Sequence, residues 1–163
     1  MVRVDREGVM IYTDLTRLAM KIAYEAHHGQ LDRQGVPYIY HPIHLAEQMN
    51  TEDTCVVALL HDVIEDTELT LEDLRNYGFT EVQIEAIDLL THDTPDPALP
   101  YEEKEKLYLE YVSEAGKNSI ARQVKLADLK HNSDRTRLVE DTDIDEARYS
   151  KYKKALDILE AMD

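Results

Sequence analysis

Four ionisable side chains follow an apolar stretch of the chain: His61, Asp62, Glu65 and Asp66. Residues 55–60 read Cys-Val-Val-Ala-Leu-Leu and are apolar on every face, which predicts a helix buried on all sides. Burying an imidazole and a carboxylate at its end costs on the order of several kcal/mol unless a partner compensates them. A cation bound by both is the most economical partner, although a hydrogen-bonded core histidine is the simpler alternative. We therefore interpret this stretch as a platform for a metal ion.

Glu65 and Asp66 continue the polar segment one helical turn beyond His61. If the helix is continuous, Glu65 lies on the face of His61, four residues earlier. There it could deprotonate an attacking water, with Asp66 helping to position it. The alternative is that both acids belong to a fraying helix end in an acidic chain.

Further metal ligands must come from other parts of the chain. Pro42 restricts His41 to an extended conformation and suits the first turn of a helix over 43–50, so His41 is expected where a loop meets that helix. It could be a ligand, a cap or a packing residue. Asp128 interrupts the apolar stripe of a helix predicted over 118–132, so it needs a buried partner, either a metal or Lys125. Asn132 follows Asp128 by one turn on the same face.

These residues together supply two imidazoles and two carboxylates from separate elements: His41, His61, Asp62 and Asp128. Nitrogen and oxygen donors without a thiolate favour octahedral Mn²⁺ or Fe²⁺, or another divalent metal, over structural zinc. With Glu65 as base and Arg33 nearby to neutralise charge, the set has the design of a phosphoester hydrolase.

The helices that position these groups are predicted from apolar periodicity, capping residues and breakers. Thr70 and Thr80 each begin a sequence typical of a capping box, and Gly78 separates the two helices that they start. Beyond the apolar core helix, the predicted helices cover 14–28, 43–50, 71–76, 81–92, 101–115, 118–132 and a last helix from 143 or 145 to about 161. The apolar residues of the fourth of these are expected to face inward: Val82, Ile84, Ile87, Leu89 and Leu90. Residues 1–12 are expected to be an extended arm or weak hairpin, and 93–100 a surface loop. The sequence thus predicts an all-α, compact helical bundle forming a single domain over 1–163.

The amino-acid composition limits the classes of partner that the protein can bind. The 163 residues contain 34 acids against 18 Lys and Arg, a formal net charge of −16, which repels nucleic acids and anionic membranes. A small anionic ligand can bind only where a metal and a few basic residues reverse the local field. One cysteine excludes an internal disulfide, and no leader or membrane-spanning stretch is evident. We expect a soluble cytoplasmic protein, with its oligomeric state left open.

The order His, His-Asp, Asp resembles that of HD-domain metal-dependent phosphohydrolases. The surrounding sequence is similar to one branch, the hydrolase domain of RelA/SpoT-type proteins, which degrade guanosine tetra- and pentaphosphate. Four segments carry this resemblance: Ala-His-His-Gly-Gln (26–30), Gly-Val-Pro-Tyr-Ile-Tyr-His-Pro (35–42), Leu-Leu-His-Asp-Val-Ile-Glu-Asp-Thr (59–67) and Lys-Leu-Ala-Asp-Leu-Lys-His-Asn (125–132).

The resemblance implies a small stand-alone hydrolase of the HD-domain fold that removes pyrophosphate from the ribose 3′ position. It implies Mn²⁺ held by the four His and Asp residues named above, and an attacking water activated by Glu65 with Asp66. It also implies that Asn132 contacts the nucleotide sugar or phosphate. Arg148 and Tyr152 match an Arg-x-x-x-Tyr pair that holds substrate.

Two positions depart from the family pattern. Asp32 precedes Arg33 where two basic residues are usual, and Asp134 stands where a basic residue is common. Both changes lie on the substrate side of the expected site. Two alternatives therefore remain: a hydrolase acting on another phosphorylated nucleotide, and a domain that binds a nucleotide without turning it over.

Overall fold

The computed structural model describes residues 8–138 and 143–163, with only the backbone for 143–145. Within these ranges no strand forms, and Leu31 and Pro37 make an isolated bridge. The predicted all-α fold is therefore confirmed. The helices are α1 Asp14–Ala26, α2 Tyr40–Glu47, α3 Glu52–Leu60, α4 Val63–Asp66, α5 Leu71–Tyr77, α6 Glu81–Leu90, α7 Tyr101–Ala115, α8 Ser119–Asn132 and α9 Asp143–Glu160, with a 3-10 helix Arg135–Arg137 between the last two.

Helix α3 is the centre of the fold. Every residue from Cys55 to Leu60 is fully buried, as its uniformly apolar sequence predicts. The helix packs against α1, α2, α6 and α8, so its whole circumference is covered by other helices. A second, smaller core joins α7, α8 and α9 around Val112, Leu129 and Leu159. The end of α3 therefore lies deep in the bundle, where ionisable groups meet little water.

Side-chain caps begin several helices. The predicted capping boxes at Thr70 and Thr80 are confirmed. Each threonine side chain accepts from the backbone N–H of the third helical residue, and the side chain of that residue accepts from the backbone N–H of the threonine. Thr51 makes the same box at the start of α3. Gly78 ends α5 in the left-handed region, with φ of 101°, which favours glycine.

One predicted orientation is wrong, part of the expected N-terminal arm lies outside the described residues, and the predicted 93–100 loop is observed. Val82 was expected to face inward but is 53% exposed, since only one stripe of the short helix α6 meets the core. Of the expected N-terminal arm, residues 1–7 lie outside the described residues, while Met10 packs into the core beside Cys55. Residues 93–100 form no helix or strand, in agreement with the predicted loop.

No helix in the described parts of the chain has the length and apolar character needed to cross a bilayer.

Truncating the core helix should destabilise the fold strongly. Leu59→Ala removes a fully buried side chain and leaves a cavity, so we expect the free energy of unfolding to fall by about 2–5 kcal/mol. Leu107→Ala, at a position 47% exposed, should change it by about 0.5 kcal/mol or less. Urea unfolding of both variants measures the difference. Equal losses would contradict the placement of α3 at the centre.

Candidate metal centre and adjoining cavity

The ring of His61 is fixed by the backbone of its own helix. Nδ1 lies 2.7 Å from the carbonyl oxygen of Ala58, and since a carbonyl only accepts, Nδ1 carries the proton. Nε2 is buried and makes no hydrogen bond among the described residues, although Asp62 Oδ2 lies 3.0 Å away. An imidazole lone pair beside a carboxylate oxygen is repulsive unless a proton or a metal ion shares them.

The four expected ligands lie close together. One ligand atom each from His41, His61 and Asp62 lie within 4.8 Å of one another. Asp128 Oδ1 lies 3.0 Å from Nε2 of His41 and 3.8 Å from Nε2 of His61. These nitrogen and oxygen donors come from α2, α8 and the segment after α3. The orphaned Nε2 and this donor set fit a divalent ion.

Charge is concentrated at this cluster. Burial would lower the pKa of His61, but the neighbouring Asp62 and Asp128 carboxylates outweigh it and raise that pKa to about 9. Burial would raise the pKa of Asp62, yet the charge on His61 holds it well below its usual range. Without a metal, the carboxylates therefore retain a proton on His61 as their counter-ion.

A set of surrounding groups fixes the four side chains. Lys125, itself buried, places Nζ 2.8 Å from Asp128 Oδ2, so Asp128 uses one oxygen for this ion pair and turns the other to the histidines. The Tyr38 hydroxyl donates to Asp62 Oδ2. Nδ1 of His41 and Nδ1 of His131 lie 2.6 Å apart, which orients the His41 ring.

The sequence interpretation singled out neither Tyr38 nor His131, and it offered Lys125 only as an alternative partner of Asp128. Spacing carries a signal for two of them. Lys125 and His131 lie three residues before and after Asp128, which places them near it on the helix surface. Tyr38 is the third residue before His41 and lies in the turn before α2, and nothing in its spacing points to Asp62.

The expected extended conformation of His41 is wrong. His41 lies in the first turn of α2, and its backbone N–H donates to the carbonyl oxygen of Tyr38 over 2.9 Å. Pro42 follows inside the same turn, where its missing N–H costs no helical bond. The helix therefore starts earlier than proline rules suggest, and it holds the imidazole more rigidly than a loop would.

The expected continuous helix through Glu65 is also wrong. Helix α3 ends at Leu60, and α4 begins only at Val63. The carbonyl oxygen of Ala58, which Asp62 would use in a continuous helix, accepts from the His61 ring instead. Glu65 Oε1 accepts from the backbone N–H and from Nδ1 of His92, over 2.7 and 2.8 Å. Burial, followed by repulsion from Asp62 and Glu65, raises the pKa of Asp66 to about 6.

A cavity of about 270 Å³ adjoins the cluster and shares His41 with it. Arg33, Asn132 and Arg148, three expected substrate-binding residues, line it. Asn132 also donates to Asp128 Oδ1 over 2.8 Å, which ties the cavity to the cluster. Tyr152 does not line the cavity; its hydroxyl accepts from Nε of Arg148 over 2.6 Å and so holds that guanidinium.

The two unusual acids have structural partners. Asp32 Oδ1 accepts from two backbone N–H groups of its own loop, and its Oδ2 lies 3.4 Å from Nη2 of Arg137. Asp134 caps the 3-10 helix by accepting from the N–H and hydroxyl of Thr136. Arg137 is a further cationic lining residue that the sequence did not indicate.

Several characterised proteins are similar to this chain. A guanosine-3′,5′-bis(diphosphate) 3′-pyrophosphohydrolase, MESH1 of Danio rerio, is 34% identical over 122 residues, covering 69% of this chain and 64% of that protein. A solved structure described as a metazoan ortholog of SpoT that hydrolyzes ppGpp aligns over 95% of this chain and 90% of its own, with a TM-score of 0.72 and 25% identity. In sequence and in fold, the chain is therefore similar to RelA/SpoT-type hydrolases. The bifunctional (p)ppGpp synthase/hydrolase SpoT of Escherichia coli is 47% identical over 63 residues, 36% of this chain and 9% of SpoT. No protein-family model matches the chain.

The similarity to these hydrolases agrees with the geometry of the His and Asp cluster, and it makes the pH dependence of metal affinity informative. Below about pH 9, His61 must lose a proton before Nε2 can bind an ion. Mn²⁺ affinity should therefore rise with pH, by up to about tenfold per unit, and level off above the pKa. Calorimetric titration across this range measures it, with the exposed His28→Asn as control. An affinity independent of pH would exclude His61 as a ligand.

The buried ion pair should contribute more to stability than a matched surface pair. Lys125→Met leaves the Asp128 carboxylate buried without its lysine, so we expect a loss of about 3–5 kcal/mol in the free energy of unfolding. Lys117→Met breaks a pair of the same i, i+3 spacing that is about two-thirds exposed, with side-chain exposures of 66% and 65%. That loss should be about 0–1 kcal/mol. Similar losses in urea unfolding would contradict the burial of the Lys125 pair.

Proposed function

We propose that this protein is a metal-dependent phosphohydrolase that releases pyrophosphate from guanosine 3′,5′-bis(diphosphate). The observation that supports this most strongly is the cluster of two histidines and two aspartates, which shares His41 with an arginine-lined cavity. The names of the relatives give the substrate. The chain spans 64% of the Danio rerio protein, so the activity is inferred from this shared part.

The four cluster residues would hold the ion: His41, His61, Asp62 and Asp128. We propose Mn²⁺, with Fe²⁺ as the alternative, because the donors are imidazole nitrogens and carboxylate oxygens without a thiolate. When bound, the ion would supply positive charge for the reacting phosphate and its water. Lys125, Tyr38 and His131 would keep the ligands oriented while substrate enters and product leaves.

Glu65 is our candidate for the base that takes the proton of the attacking water, with Asp66 beside it. The water would attack the phosphorus attached to the ribose 3′ oxygen, and the bond between that phosphorus and oxygen would break. The 3′ oxygen would gain a proton, so that guanosine diphosphate and pyrophosphate leave. A raised pKa of about 6 suits Asp66 to exchange protons near neutral pH.

The cavity would bind the nucleotide. Arg33 and Arg148 would face its phosphates, Asn132 would contact the sugar or phosphate, and Tyr152 would hold Arg148 in place. These guanidinium groups reverse the negative field of a chain with a net charge of −16.

A second candidate is hydrolysis of a different phosphorylated nucleotide. Asp32 lines the cavity next to Arg33, so a carboxylate stands where the family usually has a basic residue. Because a carboxylate repels phosphate groups, a nucleotide with fewer phosphate charges on that side of the cavity would then be preferred over guanosine tetraphosphate. A domain that binds without turnover would have no need of Glu65 and Asp66 as a water-activating pair.

We also propose that residues 1–163 act as one hydrolase domain, since groups from α2, α3, α8 and α9 and their loops meet at one site. Its single cysteine is buried and suits the reducing cytoplasm.

The test is a nucleotide panel with phosphate and pyrophosphate read out separately. Purified protein with Mn²⁺ should release pyrophosphate from guanosine tetraphosphate, and chelation should stop it. Glu65→Gln should lower kcat at least about a hundredfold, the contribution typical of a general base, while Mn²⁺ stays bound.

Glu68→Gln is the matched control, since Glu68 is an exposed acid of the same segment and its loss should leave kcat unchanged. Faster turnover of another phosphorylated nucleotide would favour the second candidate. Binding of the panel without turnover of any member would refute the hydrolase proposal.

A further inference from the structure

The carboxylate of Glu65 is held at one oxygen by a single residue. Both the backbone N–H and the Nδ1–H of His92 donate to Oε1, over 2.7 and 2.8 Å. Because a carboxylate only accepts, the proton of the His92 ring lies on Nδ1. Among the described residues, no group donates to Oε2. The bonds therefore fix the direction of the carboxylate and leave its second oxygen able to take a proton.

The ring of His92 is itself prevented from turning. It stacks on Tyr111, with ring centroids 4.3 Å apart and planes 19° apart, and meets the edge of Tyr108 at 6.0 Å. Tyr111 is in turn anchored, because its hydroxyl donates to the carbonyl oxygen of Leu90 over 2.7 Å. Leu90 is the last residue of α6, and His92 follows two residues later. A rigid helix end and an aromatic stack thus aim the imidazole at Glu65.

This arrangement compensates for the break after α3. A base on a continuous helix would be oriented by that helix, whereas Glu65 lies on α4, a helix of four residues. So short a helix constrains its side chains weakly. The side chain of Glu65 is only 21% exposed, and among the described residues His92 is the group that holds its carboxylate. Orientation must therefore come from outside α4.

We propose that His92 is a positioning residue, which holds Glu65 Oε1 so that Oε2 points at the attacking water. This inference rests on the proposed function of Glu65 as base. His92 itself touches neither substrate nor metal in this account, and its effect passes through Glu65. The contact also ties the chain just after α6 to Glu65.

Two variants separate the hydrogen bond from the packing. His92→Phe keeps a ring against Tyr111 but removes the donor, whereas His92→Asn removes the ring and keeps an N–H near the position of Nδ1. Both keep the backbone donor to Oε1. His92→Phe should lower kcat about tenfold, the size of one charge-assisted hydrogen bond, with KM and Mn²⁺ affinity unchanged. His92→Asn should recover most of that loss, and the exposed His28→Phe should have no effect.

A spectroscopic measurement tests the contact without turnover. In ¹⁵N-histidine spectra of the full chain, His92 should be the Nδ1–H tautomer, and Glu65→Gln should shift its Nδ1 resonance while leaving that of His28 unchanged. An Nε2–H tautomer, or no shift, overturns the proposal even if the enzyme is active. Unchanged kcat in His92→Phe, or equal losses in the Phe and Asn variants, overturns it as well. If Glu65→Gln shifts the resonance but the wild-type protein turns over no nucleotide, the proposed function is refuted instead. The positioning role then falls with it.

Discussion

The structure depends on placing carboxylates and imidazoles where there is almost no water. Asp128 and the two histidines of the cluster are buried near the end of α3. The last six residues of that helix, 55–60, are fully buried. In such surroundings, neither two uncompensated carboxylates nor two facing lone pairs are stable. The protein meets this constraint with Lys125 on one side and, without a metal, with a proton on His61 on the other. A dication would replace that proton and satisfy all four ligands together.

The break between α3 and α4 follows from the same constraint. The ring of His61 takes the carbonyl of Ala58, so Nε2 is free for the cluster but the regular helix ends. The polar segment that follows is consequently short and is oriented by neighbours rather than by its own helix. The cavity that shares His41 with the cluster carries three arginines, while Asp32 and Asp134 are engaged by their own loops. The His and Asp cluster thus forms a rigid unit, and the two departures from the RelA/SpoT-type pattern lie in loops that can change without disturbing it.

Much of this could be predicted from the sequence because the signals were local. The uniformly apolar residues 55–60 predict a buried helix, Thr70 and Thr80 predict helix starts, and Gly78 predicts a helix end, all as observed. The predicted extended backbone at His41 and the predicted continuous helix through Glu65 were wrong because local backbone preferences gave way to other contacts. His41 joins the first turn of α2, and the His61 ring takes the carbonyl of Ala58 that would have continued α3. The contact between His92 and Glu65 joins residues 27 positions apart, and no periodicity indicates it. The exposure of Val82 could not be predicted either, because the sequence does not indicate how much of a helix surface the neighbouring helices cover.

The central claim is that one divalent ion binds among His41, His61, Asp62 and Asp128. Anomalous diffraction from crystals grown with Mn²⁺ tests it directly. The account predicts a single strong peak within bonding distance of Nε2 of both histidines and of one oxygen of each aspartate, with Lys125 still paired to the other oxygen of Asp128. A peak elsewhere, or ordered density showing these side chains directed away from one another with no ion between them, would contradict it.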